Sequence, residues 1–295
     1  MTVLVTGATG FIGARLVSQL QARGQAVHIV TRNPQRAKAQ FPEAQVFPWT
    51  AVTTAVDGCT GVVNLAGEPI IGRWTAARKR AIRESRVNGT QQMVQAITQA
   101  QVRPRVLVNA SAIGYYGASE TAVFTEASPP GDDFLAQVCQ EWEQAAQPVL
   151  ELGVRLVIFR IGIVLGMGGA IERILPPFRA FLGGPIGSGR QWFAWIHIDD
   201  MVNLIVTALE NEAWQGVYNA TAPQPVRMAE LCQTLGQVLH RPSWLPVPGL
   251  VLELLLGDAA QVILTGQQVL PERVQAMGFS YQYPTLAPAL QAILG

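Results

Sequence analysis

An apolar run near the N-terminus, Val3-Leu4-Val5, breaks after Thr6 into Gly7, Gly10 and Gly13. Behind the glycines Ile12, Leu16, Val17 and Leu20 recur at helical spacing, so the stretch reads as buried strand, glycine turn and amphipathic helix. Each glycine in such a turn has a separate use. One permits the tight bend, one lets the backbone approach a pyrophosphate, and one lets the helix lie close to the strand. The helix start then offers free N–H groups and a positive dipole end to phosphate. The spacing is Gly-x-x-Gly-x-x-Gly rather than Gly-x-Gly-x-x-Gly. The expectation is a dinucleotide held by Gly7, Thr9, Gly10, Phe11, Ile12 and Gly13, with an ordinary strand-turn-helix as the alternative.

The 295 residues, 49% apolar and 14% charged, suffice for one large α/β domain with an appended lobe and no staples. A net charge of +1 gives no reason to expect nucleic acid or an anionic membrane as partner. Cys59, Cys139 and Cys232, an odd set without motif spacing, point to reduced thiols and a cytoplasmic setting. Because the first strand begins almost at once, no signal or transit peptide is expected ahead of it. Apolar runs such as Leu250 to Leu256 fall well short of the roughly 18–20 residues of a membrane span.

Ala26 to Val30 read as the second strand, ending in Thr31-Arg32-Asn33-Pro34. At this place, about 20 residues beyond the turn, an acid suits the ribose 2′-hydroxyl of NAD and a base suits the 2′-phosphate of NADP. Arg32, with Arg36 and Lys38 behind it and no acid before Glu43, makes NADP(H) the expected cofactor and Thr31 and Arg32 its contacts. Val62 to Asn64 form a further strand, and Leu65, Ala66 and Gly67 leave it where ligands of parallel sheets bind. A polar helix follows over Trp74 to Gln101 and carries Ser85-Arg86, with Arg86 a further cofactor candidate. Val106 to Ala110 are the next strand, then Ser111 to Gly117. Asp133 opens a helical stripe through Phe134, Leu135, Val138, Cys139 and Trp142 that stops at Gly153, and Val154 to Ile161 return as a strand.

Beyond Gly166 glycine and proline pairs separate short elements, the texture of a smaller lobe. Gly216 to Ala220 read as a strand rejoining the main sheet, and Met228 to Leu239 as a helix before a proline-spaced helical tail. The expected division is 1–165 for the nucleotide-binding part and 166–295 for a mostly helical lobe interleaved with the sheet.

Several of these stretches together resemble the extended short-chain dehydrogenases/reductases, the nucleotide-sugar epimerase and dehydratase group. They are the Gly7 turn, Asn64-Leu65-Ala66-Gly67, Asn88-Gly89-Thr90, Ser111 to Gly117, Arg160-Ile161-Gly162 and His197-Ile198-Asp199-Asp200. Asn64 to Glu68, Ser85-Arg86, Gly183 to Gly189, Trp195-Ile196-His197 and a C-terminal extension around Leu264 to Gly278 resemble more closely its atypical "epimerase family" branch. The resemblance spans essentially the whole chain. It implies a Rossmann-type doubly wound parallel α/β sheet with a small C-terminal lobe, and NADP(H) in the cleft between them.

The family's chemistry uses a tyrosine whose proton transfer is helped by a lysine four residues on. None of Tyr115, Tyr116, Tyr218, Tyr281 and Tyr283 has that lysine, and Lys38 and Lys79 are the only lysines present. If Glu143 marks the family's helix glutamate, the resemblance places the tyrosine at Leu135 and the lysine at Cys139. Counting back from Tyr116-Gly117, the catalytic Ser/Thr falls at Ala112.

Ser111, Tyr115 and Tyr116 follow the fifth strand near the expected nicotinamide and either transfer protons or only line the pocket. Cys139 lies on an apolar stripe, where an inert thiol is the commoner outcome. Arg160 either holds a substrate anion or belongs to a structural ion pair. In His197-Ile198-Asp199-Asp200 an aspartate N-cap is expected. Trp192, Phe193 and Trp195 either wall a pocket or pack the lobe, and no metal-ligand spacing or Gly-x-Ser-x-Gly elbow is present. Two functions remain open: an NADP-dependent oxidoreductase or epimerase-like enzyme with non-standard residues acting on an unidentified small molecule, or a catalytically silent NADP(H)-binding protein that signals to a protein partner.

Overall fold

Runs of Val, Ile and Leu without polar alternation belong to strands covered on both faces, and the central strands of this chain's main sheet behave so. The computed structural model describes residues 1–295. Its main sheet contains β1 (Thr2–Thr6), β2 (Ala26–Thr31), β3 (Gln45–Pro48), β4 (Gly61–Asn64), β5 (Val106–Ala112), β6 (Arg155–Ile161) and β7 (Gly216–Ala220). All pairings are parallel, in the order β3-β2-β1-β4-β5-β6-β7. The order reverses between β1 and β4, which opens a crevice at the carboxyl ends of these two strands. β3 has a half-exposed burial pattern and little apolar signal, and no sequence expectation covered it.

Helices cover both faces. α1 (Phe11–Ala22) and α4 (Ile198–Glu210) bury Leu16, Val17, Leu20, Val202 and Ile205 against one. α2 (Ala76–Gln99) applies Met93, Val94 and Ile97 to the other, and α3 (Phe134–Ala146) packs beside α2. α3 passes into a 3₁₀ segment, Gln147–Leu152, which ends at Gly153 in the left-handed region, φ +72°.

The second part of the chain is divided between two cores. α4 and β7 join the main sheet, while Ile171, Phe178, Trp195, Leu231, Leu235 and Leu290 gather in a separate apolar cluster. Phe193 and Trp195 thus pack the lobe's core, and Trp192 carries Arg227 on its ring. The C-terminal extension is also tied to the main domain, since Gln268–Val269 pairs in parallel with Val123–Phe124. No helix is long and apolar enough to cross a membrane.

Candidate functional site

The glycine turn is built by close backbone approach. Gly7 has φ +68°, and a Cβ there would stand 2.7 Å from the carbonyl oxygen of Leu65. At Gly13 a Cβ would stand 2.2 Å from the carbonyl oxygen of Gly7, so the first helical turn lies directly on the strand end. The helix start has no side-chain cap and no acid in its first turn. The N–H groups of Phe11, Ile12 and Gly13 find no acceptor in the protein. Unsatisfied, converging donors at a positive helix end, beside a turn that excludes side chains, fit a pyrophosphate. The Phe11 ring turns instead toward Gly166 and Gly169, where an added Cβ would meet it at 2.8 Å and 2.6 Å.

Thr6 and Asn64 hold the facing loop in place. The Thr6 hydroxyl donates to Asn64 Oδ1 at 2.7 Å and accepts the N–H groups of Leu65 and Ala66, each at 3.1 Å. Asn64 donates in turn to Thr90 Oγ1 and Asn109 Oδ1. Leu65 and Ala66 therefore face the glycine turn on a polar brace of Thr6, Asn64, Thr90 and Asn109. Gly67 lies against Arg86, whose guanidinium donates to the carbonyls of Glu68 and Ile82 and lies 5.2 Å from the Trp142 ring centre. Burial lowers the pKa of Arg86 from its ordinary value, with opposing contributions from Cys139 and Glu68.

At the end of β2, Thr31 Oγ1 accepts from the Asn33 N–H, and Asn33 caps the helix that begins at Pro34. Arg32 projects from this turn with its side chain 77% exposed and forms an ion pair with Glu68. Glu68 also faces Arg78 at 3.6 Å. Lys38 bends back to the carbonyls of Pro42 and Ala44.

The crevice is built differently at the ends of β5 and β6. Ser111 donates to Glu143 Oε1 at 2.7 Å, and Arg160 grips the same carboxylate with Nε and Nη2, both at 2.8 Å. Arg160 Nη1 donates to the Tyr116 hydroxyl, which donates to Asn219 Oδ1 at 2.6 Å. All five residues are buried. Burial alone would lower the basicity of Arg160, but the bonds and charge of Glu143 outweigh it and hold the guanidinium more basic than usual. Burial raises the Tyr116 phenol, against the opposing pull of Arg160. Arg160 is thus engaged inside the protein, while Tyr115 stacks on it with the ring centre 3.3 Å from Cζ and has no hydrogen bond from its own hydroxyl.

The face of α3 that carries Leu135, Cys139 and Glu143 meets the end of β5. A Cβ at Gly114 would touch Leu135 at 3.4 Å, Cys139 lies within reach of Ser111 and the Ala112 backbone, and Glu143 binds Ser111. Burial pushes the Cys139 thiol up to about 12, reinforced by the nearby Glu143 charge. That is a core thiol, not a nucleophile. At the start of α4 the aspartate cap is corrected. His197 Nδ1 accepts the Asp199 N–H and caps the helix, Asp199 pairs with Arg15, and buried Asp200 accepts the N–H groups of Gln282 and Tyr283. The ring is buried against Tyr283, and burial lowers its pKa from the ordinary histidine value. No group of three His, Cys, Asp or Glu residues is placed to hold a metal ion.

A doubly wound sheet with this turn and this facing loop is a Rossmann-type short-chain dehydrogenase/reductase. The chain belongs to the NAD dependent epimerase/dehydratase family, whose model matches residues 3–221, and a domain of unknown function, DUF1731, matches residues 247–293. It is 51% identical to the chloroplastic "epimerase family protein SDR39U1 homolog" of Arabidopsis thaliana, covering all of this chain and 87% of that one. It is 37% identical to the epimerase family protein YfhF of Bacillus subtilis, covering all of this chain and 98% of that one. The crystal structure of human epimerase family protein SDR39U1 with NADPH superposes with a TM-score of 0.91 at 39% identity over 99% of both chains. A UDP-N-acetylglucosamine 4-epimerase from Bacillus cereus, with a TM-score of 0.78 at 17% identity over 99% of this chain and 98% of that one, shares the fold.

Proposed function

We propose that the protein binds NADP(H) across the crevice and does not run tyrosine–lysine proton transfer. In this reading the pyrophosphate lies on the N–H groups of Phe11, Ile12 and Gly13, and the 2′-phosphate lies beside Arg32. Leu65, Ala66 and Gly67 line the cofactor, and Arg86 supports that loop from behind. The bound cofactor supplies hydride chemistry. What this chain adds beside the nicotinamide is apolar: Ala112, Leu135 and a Cys139 whose thiol burial keeps protonated. The observation that carries the reading is the closed Ser111–Glu143–Arg160–Tyr116–Asn219 network, which leaves none of its groups free to exchange a proton with a substrate. This favours a binding protein whose occupancy is read by a partner, and the three buried unpaired thiols suit a cytoplasmic setting.

The unengaged Tyr115 hydroxyl favours a second reading, an NADP-dependent oxidoreductase or epimerase-like enzyme with that phenol as its acid. One pair of measurements separates them. Titration with NADPH and NADH should show tight NADPH binding, and NADPH incubated with metabolite extract should stay at its background oxidation rate. Oxidation above background that disappears in Tyr115→Phe would favour the enzyme. Equal affinity for the two cofactors would overturn the NADP(H) assignment.

A further inference from the structure

Arg32 is the basic residue on the adenine-ribose side, yet it is already paired. Its partner, Glu68, is the better fixed of the two. The Glu68 N–H donates to Ser85 Oγ at 3.0 Å, its carbonyl accepts from Arg86 at 3.1 Å, and its side chain is 20% exposed against 77% for Arg32. Glu68 has a second cation in reserve, since Arg78 stands 3.6 Å from its other oxygen.

We propose that Glu68 sets the protein's choice between NADPH and NADH by holding Arg32 in an internal ion pair that the 2′-phosphate must displace. The inference rests on the NADP(H) reading above. A phosphate reaching Arg32 meets a guanidinium already held by a carboxylate and must displace it before it can bind there. Arg32, long and exposed, can swing to the phosphate; Glu68, anchored through its backbone, stays with Arg78. NADH carries no 2′-phosphate and leaves the pair intact. Glu68 therefore restrains NADPH affinity without touching NADH affinity.

Fluorescence titration of the full chain with NADPH and NADH tests this. The unaltered protein is measured first; if it binds no NADPH, the cofactor reading falls and this inference with it. In Glu68→Gln, NADPH should bind about three- to fivefold more tightly, roughly 0.7–1 kcal/mol, while NADH affinity stays unchanged. Glu68→Ala should move in the same direction, and circular dichroism should confirm that both variants keep the native fold. In an Arg32→Ala background the gain from Glu68→Gln should largely vanish, because no pair is left to open. Unchanged or weaker NADPH binding in the folded Glu68 variants overturns the proposal. So does an equal gain for NADH, which would place the effect in the shared cradle, or a full gain that survives Arg32→Ala.

Discussion

At the turn between β1 and α1 three backbone N–H groups have no acceptor, whereas around the ends of β5 and β6 Ser111, Glu143, Arg160, Tyr116 and Asn219 satisfy one another. The two regions face one crevice and use polarity in opposite ways. Donors without partners at a helix start are completed from outside, by an anion. A closed network in a low-dielectric interior needs nothing from outside and is damaged by the loss of any member. Binding capacity and structural rigidity are therefore built at different strand ends of one sheet.

The largest effect should come from opening the closed region. Arg160→Leu leaves the Glu143 carboxylate buried without its partner and should cost about 3–5 kcal/mol in a urea denaturation series. Adding Glu143→Leu should restore much of that loss, because the stranded charge goes with it. Additive losses would mean that the pair is not the unit described here.

The open region should respond in binding and not in stability. Gly10→Val places a side chain whose Cβ meets only the Gly7 carbonyl, at 3.1 Å, so the fold should persist while NADPH and NADH both weaken by about a hundredfold or more, some 2.7 kcal/mol. Gly13 is the poorer probe, since a Cβ there would collide with backbone at 2.2 Å and unsettle the strand-turn-helix itself. Cofactor binding unimpaired in folded Gly10→Val would remove the contrast between the regions.

Arg32→Ala should act on one cofactor alone. A charge-assisted phosphate contact is worth about 1.5–3 kcal/mol, and solvent screening of a side chain this exposed moves the expectation to the lower end. NADPH should weaken by roughly tenfold and NADH should stay put, as read by titration.

The smallest effect is a slope. Burial lowers the pKa of His197, Arg15 adds to that, and Asp199 opposes it. The unfolded chain thus takes up this proton first, so stability falls as pH drops below the ordinary histidine range near 6.5. His197→Asn keeps an acceptor for the Asp199 N–H and removes the titration. It should flatten the acid limb of a stability-against-pH curve by at most about 1.4 kcal/mol per pH unit, the limit for one proton.

Strands buried on both faces advertise themselves, and for that reason the sheet was legible. Val3 to Val5 lie within Thr2–Thr6, the Ala26 strand runs one residue further to Thr31, and Gly216–Ala220 rejoins the sheet as its apolar residues imply. The free helix start was legible too, because glycine spacing is a local signal. The closed network was not. Glu143 served as a register mark, and nothing local joins it to Ser111, Arg160 and, through Tyr116, Asn219. The same holds for Glu68 with Arg32 and for Asp200 with the backbone near Tyr283. Pairs formed by the topology leave no periodicity in the sequence. The cap at α4 escaped for a different reason: an aspartate stood where caps are usual, and the residue before it does the work.

The late arrival of β7 matters for how such a chain is made. During synthesis β6 leaves the ribosome with an open edge, and the residues from 162 to 215 must all be translated before Gly216–Ala220 can pair with it. At roughly 5–20 residues per second that is an interval of several seconds. Throughout it the Tyr116 hydroxyl lacks Asn219, and the Arg155 guanidinium gains its acceptors, the carbonyls of Ala208 and Trp214, only near its end. A nascent chain stalled in this window would present a long apolar strand edge of the kind that recruits other unfinished chains or the chaperones that prevent it. The glycine turn and the facing Leu65 and Ala66 are translated long before then, while the Phe11 ring gains its seat against Gly166 and Gly169 only inside this window.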